Sequence, residues 1–161
     1  MKRICLFLFA VLCALGIQAQ EQGIVRYVRE GGTGKGTSWE DAMGSIQRAV
    51  NAVAAFGRGE VRVAGGKYSE MVKIMGSDIH LIGSIDPATD QQSPKGNLSR
   101  IQIMNQPCGI FVAYSKRNIV VDGFAVVRGG ADKPFDYDSD ISMQAEASVS
   151  ILRERLFVIA A

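Results

Sequence analysis

Beyond Gly59 the apolar residues of this sequence recur as pairs separated by one position, and this recurrence restricts the fold more than any other feature. The pairs are Val61 and Val63, Val72 and Ile74, Ile79 and Leu81, Ile101 and Ile103, Ile110 and Val112, and Ile119 and Val121. Such alternation is typical of short strands with one buried face. Val61, Ile79, Ile101 and Ile119, taken as equivalent starts, lie 18, 22 and 18 residues apart. Coils of about 20 residues, stacked as a solenoid, are therefore predicted.

An internal sequence match supports this interpretation. At an offset of 40, residues 79–85 align with residues 119–125, and Gly83 coincides with Gly123. A glycine at a fixed point after a strand lets the chain bend without a side chain colliding with the coils above and below. An antiparallel sandwich with glycine turns is the alternative. The solenoid is preferred because a tight hairpin signal occurs once, at Asp122–Gly123, and there it lies inside a strand pair.

A single amphipathic helix is predicted before these strands. Ser38 is the expected N-cap, and Glu40 and Asp41 would place negative charge in the first turn. Gly57 and Gly59 end the helix. Its apolar stripe comprises Trp39, Ala42, Met43, Ile46, Ala49, Val50 and Val53. Because the stripe is regular, we expect the helix to pack against the strands along one face.

The N-terminus has the pattern of a secretory signal peptide, which we assign to residues 1–19. Lys2 and Arg3 precede an uncharged apolar run of 14 residues, shorter than the about 20 residues of a membrane-spanning helix. Ala19 is small enough for the cleavage site. An uncleaved membrane anchor is the alternative. The sequence therefore predicts export to the cell surface, the periplasm or the medium.

Charge and cysteine content narrow the classes of partner. Loss of Lys2 and Arg3 with the signal leaves 16 basic residues against 16 acidic ones. A neutral surface does not favour nucleic acid or anionic membranes. Cys5 and Cys13 would also be removed, so Cys108 is expected to be a buried, inert thiol.

The glycine-rich loop at residues 31–36 does not fit a nucleotide-binding motif. A Walker loop needs Ser or Thr after Gly34–Lys35 and a glycine six residues before the lysine, where this chain has Gly36 and Arg29. A dinucleotide fingerprint would need glycine in place of Thr37. We therefore expect no nucleotide partner.

Candidates for metal binding or catalysis are few. Asp136, Asp138 and Asp140 alternate as in calcium loops, but the following glycine and the distal Glu are missing. A solvated loop is therefore preferred over a calcium site, and no cofactor is assigned. His80 alternates with apolar neighbours and is expected on the surface, and nothing singles out a serine to partner it. No catalytic, cofactor-binding or metal-binding residue is assigned.

Four basic residues are candidates for contact with an acidic glycan, or equally for protecting exposed strand edges from aggregation. They are Arg100, Lys116, Arg117 and Arg128. Asn97–Leu98–Ser99 fits a glycosylation acceptor, a pattern that is usually silent in bacteria.

Several segments together resemble the start of secreted bacterial proteins of the pectin-lyase-like superfamily. They are residues 26–28, the Gly-rich loop with Ser38–Trp39 in residues 31–42, residues 61–68 ending in Gly66–Lys67–Tyr68, and residues 119–124 followed by Gly129–Gly130. The resemblance covers about residues 26–132. It implies an all-β fold, a right-handed parallel β-helix of about four coils within residues 20–140, capped by one N-terminal α-helix.

The sequence departs from that family after Lys133. Residues 141–161 are expected to form an atypical tail without a coil pattern, either a closing helix or the product of a truncated or out-of-frame gene. The family's catalytic sites lie on central coils, so none is transferred. The resemblance implies an exported non-catalytic scaffold or carbohydrate-contacting surface protein, an N-terminal portion of a longer one. An incomplete polysaccharide lyase or glycoside hydrolase is the alternative. A polysaccharide is the candidate partner, and the exposed last coil is a candidate surface for self-association.

Overall fold

The computed structural model describes residues 23–93, 97–104, 107–128, 141–143 and 149–151. This part of the chain is built mostly of strands and contains one helix, α1 (Ile46–Phe56). The strands are β1 (Ile24–Val28), β2 (Gly59–Ala64), β3 (Gly66–Tyr68), β4 (Val72–Ile74), β5 (Ile79–Asp86), β6 (Gln91–Gln92), β7 (Ser99–Ile103), β8 (Ile110–Val112), β9 (Ile119–Asp122), β10 (Phe124–Arg128), β11 (Ile141–Met143) and β12 (Val149–Ile151). The predicted all-β class with one helix is confirmed.

The strands form three sheets, and successive strands along the chain belong to these sheets in a repeating order. The first sheet has the order β1-β2-β5-β9-β12, the second β10-β7-β3 and the third β11-β8-β4. Every pair in these orders is parallel, whereas the short β6 joins β5 in antiparallel fashion. From β2 to β12, with β6 set aside, consecutive strands belong to the first, second and third sheets in turn.

The register of the first sheet agrees with the 40-residue sequence match. Ile79 lies opposite Ile119, and Leu81 lies opposite Val121. The proposed equivalence of Ile101 with these positions is wrong, because Ile101 lies in the second sheet between Tyr68 and Val126. The predicted regular spacing of about 20 residues is therefore also wrong, because it counted Ile101 as an equivalent start. The connection between β5 and β7, which includes the short antiparallel β6, is called the excursion here. It lengthens the second passage of the chain through the three sheets.

The inward-facing members of the predicted apolar pairs form one continuous core. Val61, Val63, Val72, Ile74, Ile79, Leu81, Ile101, Ile103, Ile110, Val112, Ile119 and Val121 are all fully buried. Burial of a Val, Leu or Ile side chain contributes about 1.5–3 kcal/mol, so this cluster is the main source of stability. Tyr68, Phe124 and Val126 extend it along the second sheet.

Close backbone contacts between successive strands require glycine where the sequence match places it. A Cβ atom on Gly83 would lie 2.5 Å from the carbonyl oxygen of Gly123. Beside this contact, the buried Ser84 hydroxyl donates to the same oxygen at 2.6 Å, and the Ser84 amide donates to Ser99 Oγ at 2.7 Å. Ser99 Oγ donates in turn toward the carbonyl oxygens of Val63 and Ala64. Two serines thus satisfy buried backbone groups of three adjacent strand layers.

Helix α1 begins later than predicted. Its N-cap is Ser45, whose hydroxyl accepts from the Arg48 amide at 3.2 Å, while Ser38 accepts from the Asp41 amide in a separate turn. Backbone pairing explains the difference, because Met43 bridges both Val28 and Thr33 and so holds the preceding residues in a non-helical path. Trp39, Glu40 and Asp41 therefore lie outside the helix.

The buried face of α1 is narrower than the predicted stripe but packs as expected. Ile46, Ala49, Val50 and Val53 are fully buried, and the helix contacts β1, β2, β4 and β5. Gly57 ends it with a left-handed backbone conformation at φ 109°, as predicted. The helix thus lies against the earliest strands of the first and third sheets.

Two short segments near the end of the chain, within the predicted tail, join the sheets. β11 pairs in parallel with β8, and β12 pairs with β9, so that Ser150 lies opposite Val120. Their alternating residues were too few to be recognised as strands. The predicted signal peptide at residues 1–19 lies outside the described residues. Within the described ranges, no helix has both the length and the apolar character needed to cross a membrane.

Candidate functional site

The outer face of the first sheet presents two rows of side chains that alternate with the core residues. Strand register places Val25, Glu60, His80 and Val120 in one row. It places Tyr27, Arg62, Ile82 and the nearly fully buried Asp122 in the next row. Neighbouring members of a row lie on strands about 4.8 Å apart. The face therefore combines aromatic, acidic and basic groups within reach of one bound molecule.

An ion-pair network crosses this face and joins it to the excursion between β5 and β7. Arg62 Nε lies 2.6 Å from Glu60 Oε1, and Arg62 also pairs with Asp90. Trp39 Nε1 donates to Asp90 Oδ1 at 3.1 Å. The Trp39 ring meets the Tyr27 ring edge-on with centroids 4.9 Å apart. The loop before α1 and the excursion are thus connected over the sheet.

The charge state of Arg62 follows from these contacts. Partial burial disfavours the charged guanidinium, but hydrogen bonds and charges from Asp90 and Glu60 outweigh it and raise the pKa of Arg62 above its usual value. A guanidinium held in this way stays protonated at every physiological pH. Arg62 therefore organises the two carboxylates and is unsuited to accept a proton.

A first cleft of about 470 Å³ opens where the strands of the first sheet begin. It is lined by Gly23, Ile24, Val25, Arg58, Gly59, Glu60, Asp78, His80 and Asn118. Glu60 and His80 lie opposite one another on β2 and β5. His80 is half-buried between the fully buried Ile79 and Leu81, which agrees with its predicted outward orientation. The cleft thus brings the single histidine next to a carboxylate.

Two of the residues that line the first cleft lie at corners just before strands β5 and β9. Asp78 and Asn118 both adopt left-handed backbone conformations, at φ 57° and 54°. Asn118 Nδ2 donates to Asp78 Oδ1 at 2.9 Å. Asp and Asn tolerate this conformation better than other residues with a Cβ. The corner therefore holds a carboxylate and an amide at a fixed separation and facing the same opening.

A second cleft of about 500 Å³ lies at the other end of β5, beneath the excursion. Its lining comprises Arg29, Glu30, Ala64, Gly65, Ser84, Ile85, Asp86, Pro87, Ser93 and Asn97. Glu30 accepts a hydrogen bond from the Lys67 amide at 3.0 Å, and Asp86 accepts one from the Ala88 amide at 3.0 Å. Both carboxylates thus accept hydrogen bonds from backbone amides of the neighbouring segments.

The four basic residues lie on different elements of the fold. Arg100 lies on β7 opposite Lys67 of β3, in the second sheet. Lys116 and Arg117 lie in the turn before β9, and Arg128 is the last residue of β10. The Asn97–Leu98–Ser99 acceptor places Ser99 in the buried serine network.

Sequence reasoning missed the network of Glu60, Arg62 and Asp90. No site residue was assigned in this region, yet Arg62 pairs with both Glu60 and Asp90. The alternation of Glu60 and Arg62 about the buried Val61 was an available signal. No sequence signal pointed to Asp90, because this residue lies in the excursion, whose path depends on tertiary contacts.

The remaining candidates from the sequence lie apart from this face. Cys108 is buried, as predicted, with its Sγ 3.8 Å from Met71 Sδ. Asp136, Asp138 and Asp140 fall outside the described residues. Among the residues that are described, no group of three His, Cys, Asp or Glu side chains is placed to hold a metal ion. Asp122 is nearly fully buried, and its Oδ1 atom has no hydrogen-bond partner.

Comparison with known proteins identified no relative of this chain. No protein-family model matches the chain, and no curated protein or solved structure matches it significantly.

Proposed function

We propose that this chain is an exported, non-catalytic right-handed parallel β-helix protein that contacts carbohydrate through the outer face of its first sheet. Three features support the fold: the rotation of consecutive strands through three parallel sheets, the 40-residue register between β5 and β9, and the helix against the earliest strands. The signal-like N-terminus supports export.

The observation that carries the function is the grouping of Tyr27 and Trp39 with Glu60, Asp78 and Asn118 on one side of the molecule. Aromatic rings offer flat apolar surface, which suits the CH-rich face of a sugar ring. Carboxylate and amide oxygens accept hydrogen bonds from its hydroxyl groups. A few polar groups around an apolar floor are typical of a small-molecule site.

The absence of catalysis is part of the proposal and rests on Arg62. Elimination chemistry on a uronate needs a group that removes a proton. Arg62, between two carboxylates, holds its proton more tightly than an ordinary arginine. The alternative function, an incomplete polysaccharide lyase or glycoside hydrolase, is favoured by the carboxylates of Glu60 and Asp90 and by His80 nearby. Incubation with pectic glycans separates the two functions: unsaturated products, detected by absorbance, would reveal a lyase, and new reducing ends would reveal a hydrolase.

Carbohydrate contact is tested by affinity electrophoresis in gels that contain soluble polysaccharides. Tyr27→Ala removes one ring of the aromatic pair and is expected to weaken retardation about fivefold. Tyr114→Ala is the matched control, because Tyr114 is an exposed tyrosine in the loop after β8. Circular dichroism checks that both variants fold. Equal retardation of both variants and the parent would contradict the proposal.

A further inference from the structure

We infer that Asp90 is a positioning residue, whose carboxylate holds the Trp39 ring in one orientation beside Tyr27, an inference that rests on the proposed carbohydrate contact. Asp90 lies in the turn between β5 and β6, 51 residues along the chain from Trp39. Its Oδ1 atom accepts a hydrogen bond from Trp39 Nε1 at 3.1 Å, and its Oδ2 atom pairs with Arg62 Nη1. One carboxylate thus joins the aromatic pair to the first sheet.

The backbone and the ring of Trp39 are anchored by different contacts. The backbone belongs to a turn in which the Asp41 amide donates to Ser38 Oγ at 3.3 Å. The ring rotates about two dihedral angles, and its centroid lies 4.9 Å from that of Tyr27. Edge-on aromatic contacts tolerate a broad range of centroid distances, whereas a hydrogen bond requires a nearly straight donor angle. The bond to Asp90 therefore restricts the ring more narrowly than the contact with Tyr27 does.

Asp90 is itself held by its backbone and by its second oxygen. Its amide donates to the Asp86 oxygen at 2.8 Å, and its φ of 54° lies in the left-handed region, which Asp tolerates. Arg62, which also bonds to Glu60 at 2.6 Å, pairs with Asp90 Oδ2. The side chains of Arg62 and Asp90 are 28% and 43% exposed, and ion pairs with this exposure add little to stability. The clearer consequence of the pair is that Asp90 Oδ1 stays directed toward the indole.

A ring that is oriented in advance binds a ligand more tightly than a mobile ring, because ordering a side chain on binding costs affinity. Trp39 is half-buried, so part of its surface is open to a sugar. If the bond to Asp90 is lost, the apparent affinity falls by the fraction of molecules in which the ring is correctly placed. One ordinary hydrogen bond changes such a population about fivefold.

We therefore expect Asp90→Ala to weaken carbohydrate binding about fivefold. Asp90→Asn should weaken it by less than about twofold, because the amide oxygen still accepts from the indole. Affinity electrophoresis in gels that contain hydroxyethyl cellulose or polygalacturonate measures the binding. Circular dichroism checks that the variants fold. Asp90→Gly, which suits the left-handed conformation, takes the place of Asp90→Ala if the alanine variant does not fold.

A second measurement follows the ring without any ligand. Trp39 is the single tryptophan of the chain, so fluorescence reports on this ring alone. Time-resolved anisotropy detects rotation on the nanosecond scale. We expect a fast component of the decay in Asp90→Ala that is absent from the parent and from Asp90→Asn. Glu40→Ala is the matched control, because it removes an exposed carboxylate directly after Trp39 and should change neither the decay nor the binding.

The inference is overturned if the anisotropy decay of Asp90→Ala equals that of the parent, or if Glu40→Ala frees the ring to the same extent. It is also overturned if Asp90→Ala frees the ring and yet binds as tightly as the parent. In these cases the proposed carbohydrate contact stands. If neither polysaccharide retards the parent, the proposed function is contradicted and the inference fails with it.

Discussion

At the scale of single residues, Gly83 and Gly123 lie at inner corners where the backbone leaves no room for a side chain. Each glycine lies where a Cβ atom would meet the carbonyl oxygen of the other at 2.5 Å. The sequence match at an offset of 40 predicted this coincidence, because two strands in register bring equivalent turns into contact.

Gly83→Ala is expected to lower the free energy of unfolding by about 3 kcal/mol, since the added methyl group meets backbone that cannot move aside. Urea denaturation followed by circular dichroism measures the change. Gly31→Ala is the control, because no atom lies within 4 Å of its Cβ position. Its positive φ costs about 1 kcal/mol. Equal losses in the two variants would contradict the close contact.

Tyr68 is expected to make the fold sensitive to alkali. Burial, followed by the negative charge of Glu30, raises the pKa of Tyr68 well above its ordinary value. Because the folded-state pKa is the higher one, stability is fully present below about pH 10, the unfolded pKa, and is lost as the pH rises beyond it.

Tyr68→Phe should therefore flatten the decline of stability above about pH 10, while losing about 1 kcal/mol at neutral pH with the hydrogen bond from Tyr68 Oη to the Ala64 oxygen. Urea denaturation at a series of pH values measures both effects. Tyr114→Phe, at an exposed tyrosine, is the control. Parallel curves for the parent and Tyr68→Phe would show that Tyr68 is not buried as described.

At the scale of elements, the start of α1 depends on a residue far away in the sequence. Glu70, between β3 and β4, accepts from the Ile46 amide at 2.7 Å, the Gln47 amide at 3.1 Å and the Ser45 hydroxyl at 2.8 Å. It supplies the negative charge that the first turn of the helix lacks. The cap thus also ties the helix to the strands on which it packs.

Glu70→Ala is expected to destabilise the protein by about 2–3 kcal/mol, and Glu70→Gln by about 1 kcal/mol, because the glutamine keeps one acceptor but loses the charge. Glu40→Ala is the control and should change stability by less than about 0.5 kcal/mol. Urea denaturation measures all three variants. A larger loss at Glu40 than at Glu70 would support the helix start near Ser38 and contradict the structure.

The error at the helix start has a physical cause. Ser38 with Asp41 has the same local pattern as a true cap, and apolar residues continue the stripe through Trp39, Ala42 and Met43. The backbone of Met43 instead pairs with Tyr27 and Arg29, giving hydrogen bonds of 2.9 Å to both. Tertiary pairing outweighs local propensity here, and a single sequence does not reveal it.

At the scale of the whole molecule, the apolar pairs predicted the core and the strands β2, β4, β5, β7, β8 and β9, but the regular spacing inferred from them was wrong. β3 and β10 were overlooked, and the excursion after β5 made the interval from Ile79 to Ile119 twice that from Gly59 to Ile79. The candidate site was less predictable than the fold. Its rows follow from alternation along each strand, whereas Asp90 and the corner at Asp78 depend on how the connections turn.

From β2 onward, with β6 set aside, consecutive strands pair not with each other but with strands one full passage through the three sheets away. Nuclear Overhauser effects between backbone protons on the isotope-labelled protein test this pairing most directly, since paired strands lie about 4.8 Å apart. Parallel pairing of β5 with β9 predicts contacts that join residues 79–82 to residues 119–122 in the same direction along the chain. Contacts that join residues 72–74 to residues 79–81 in opposite directions, as in a hairpin, would contradict it.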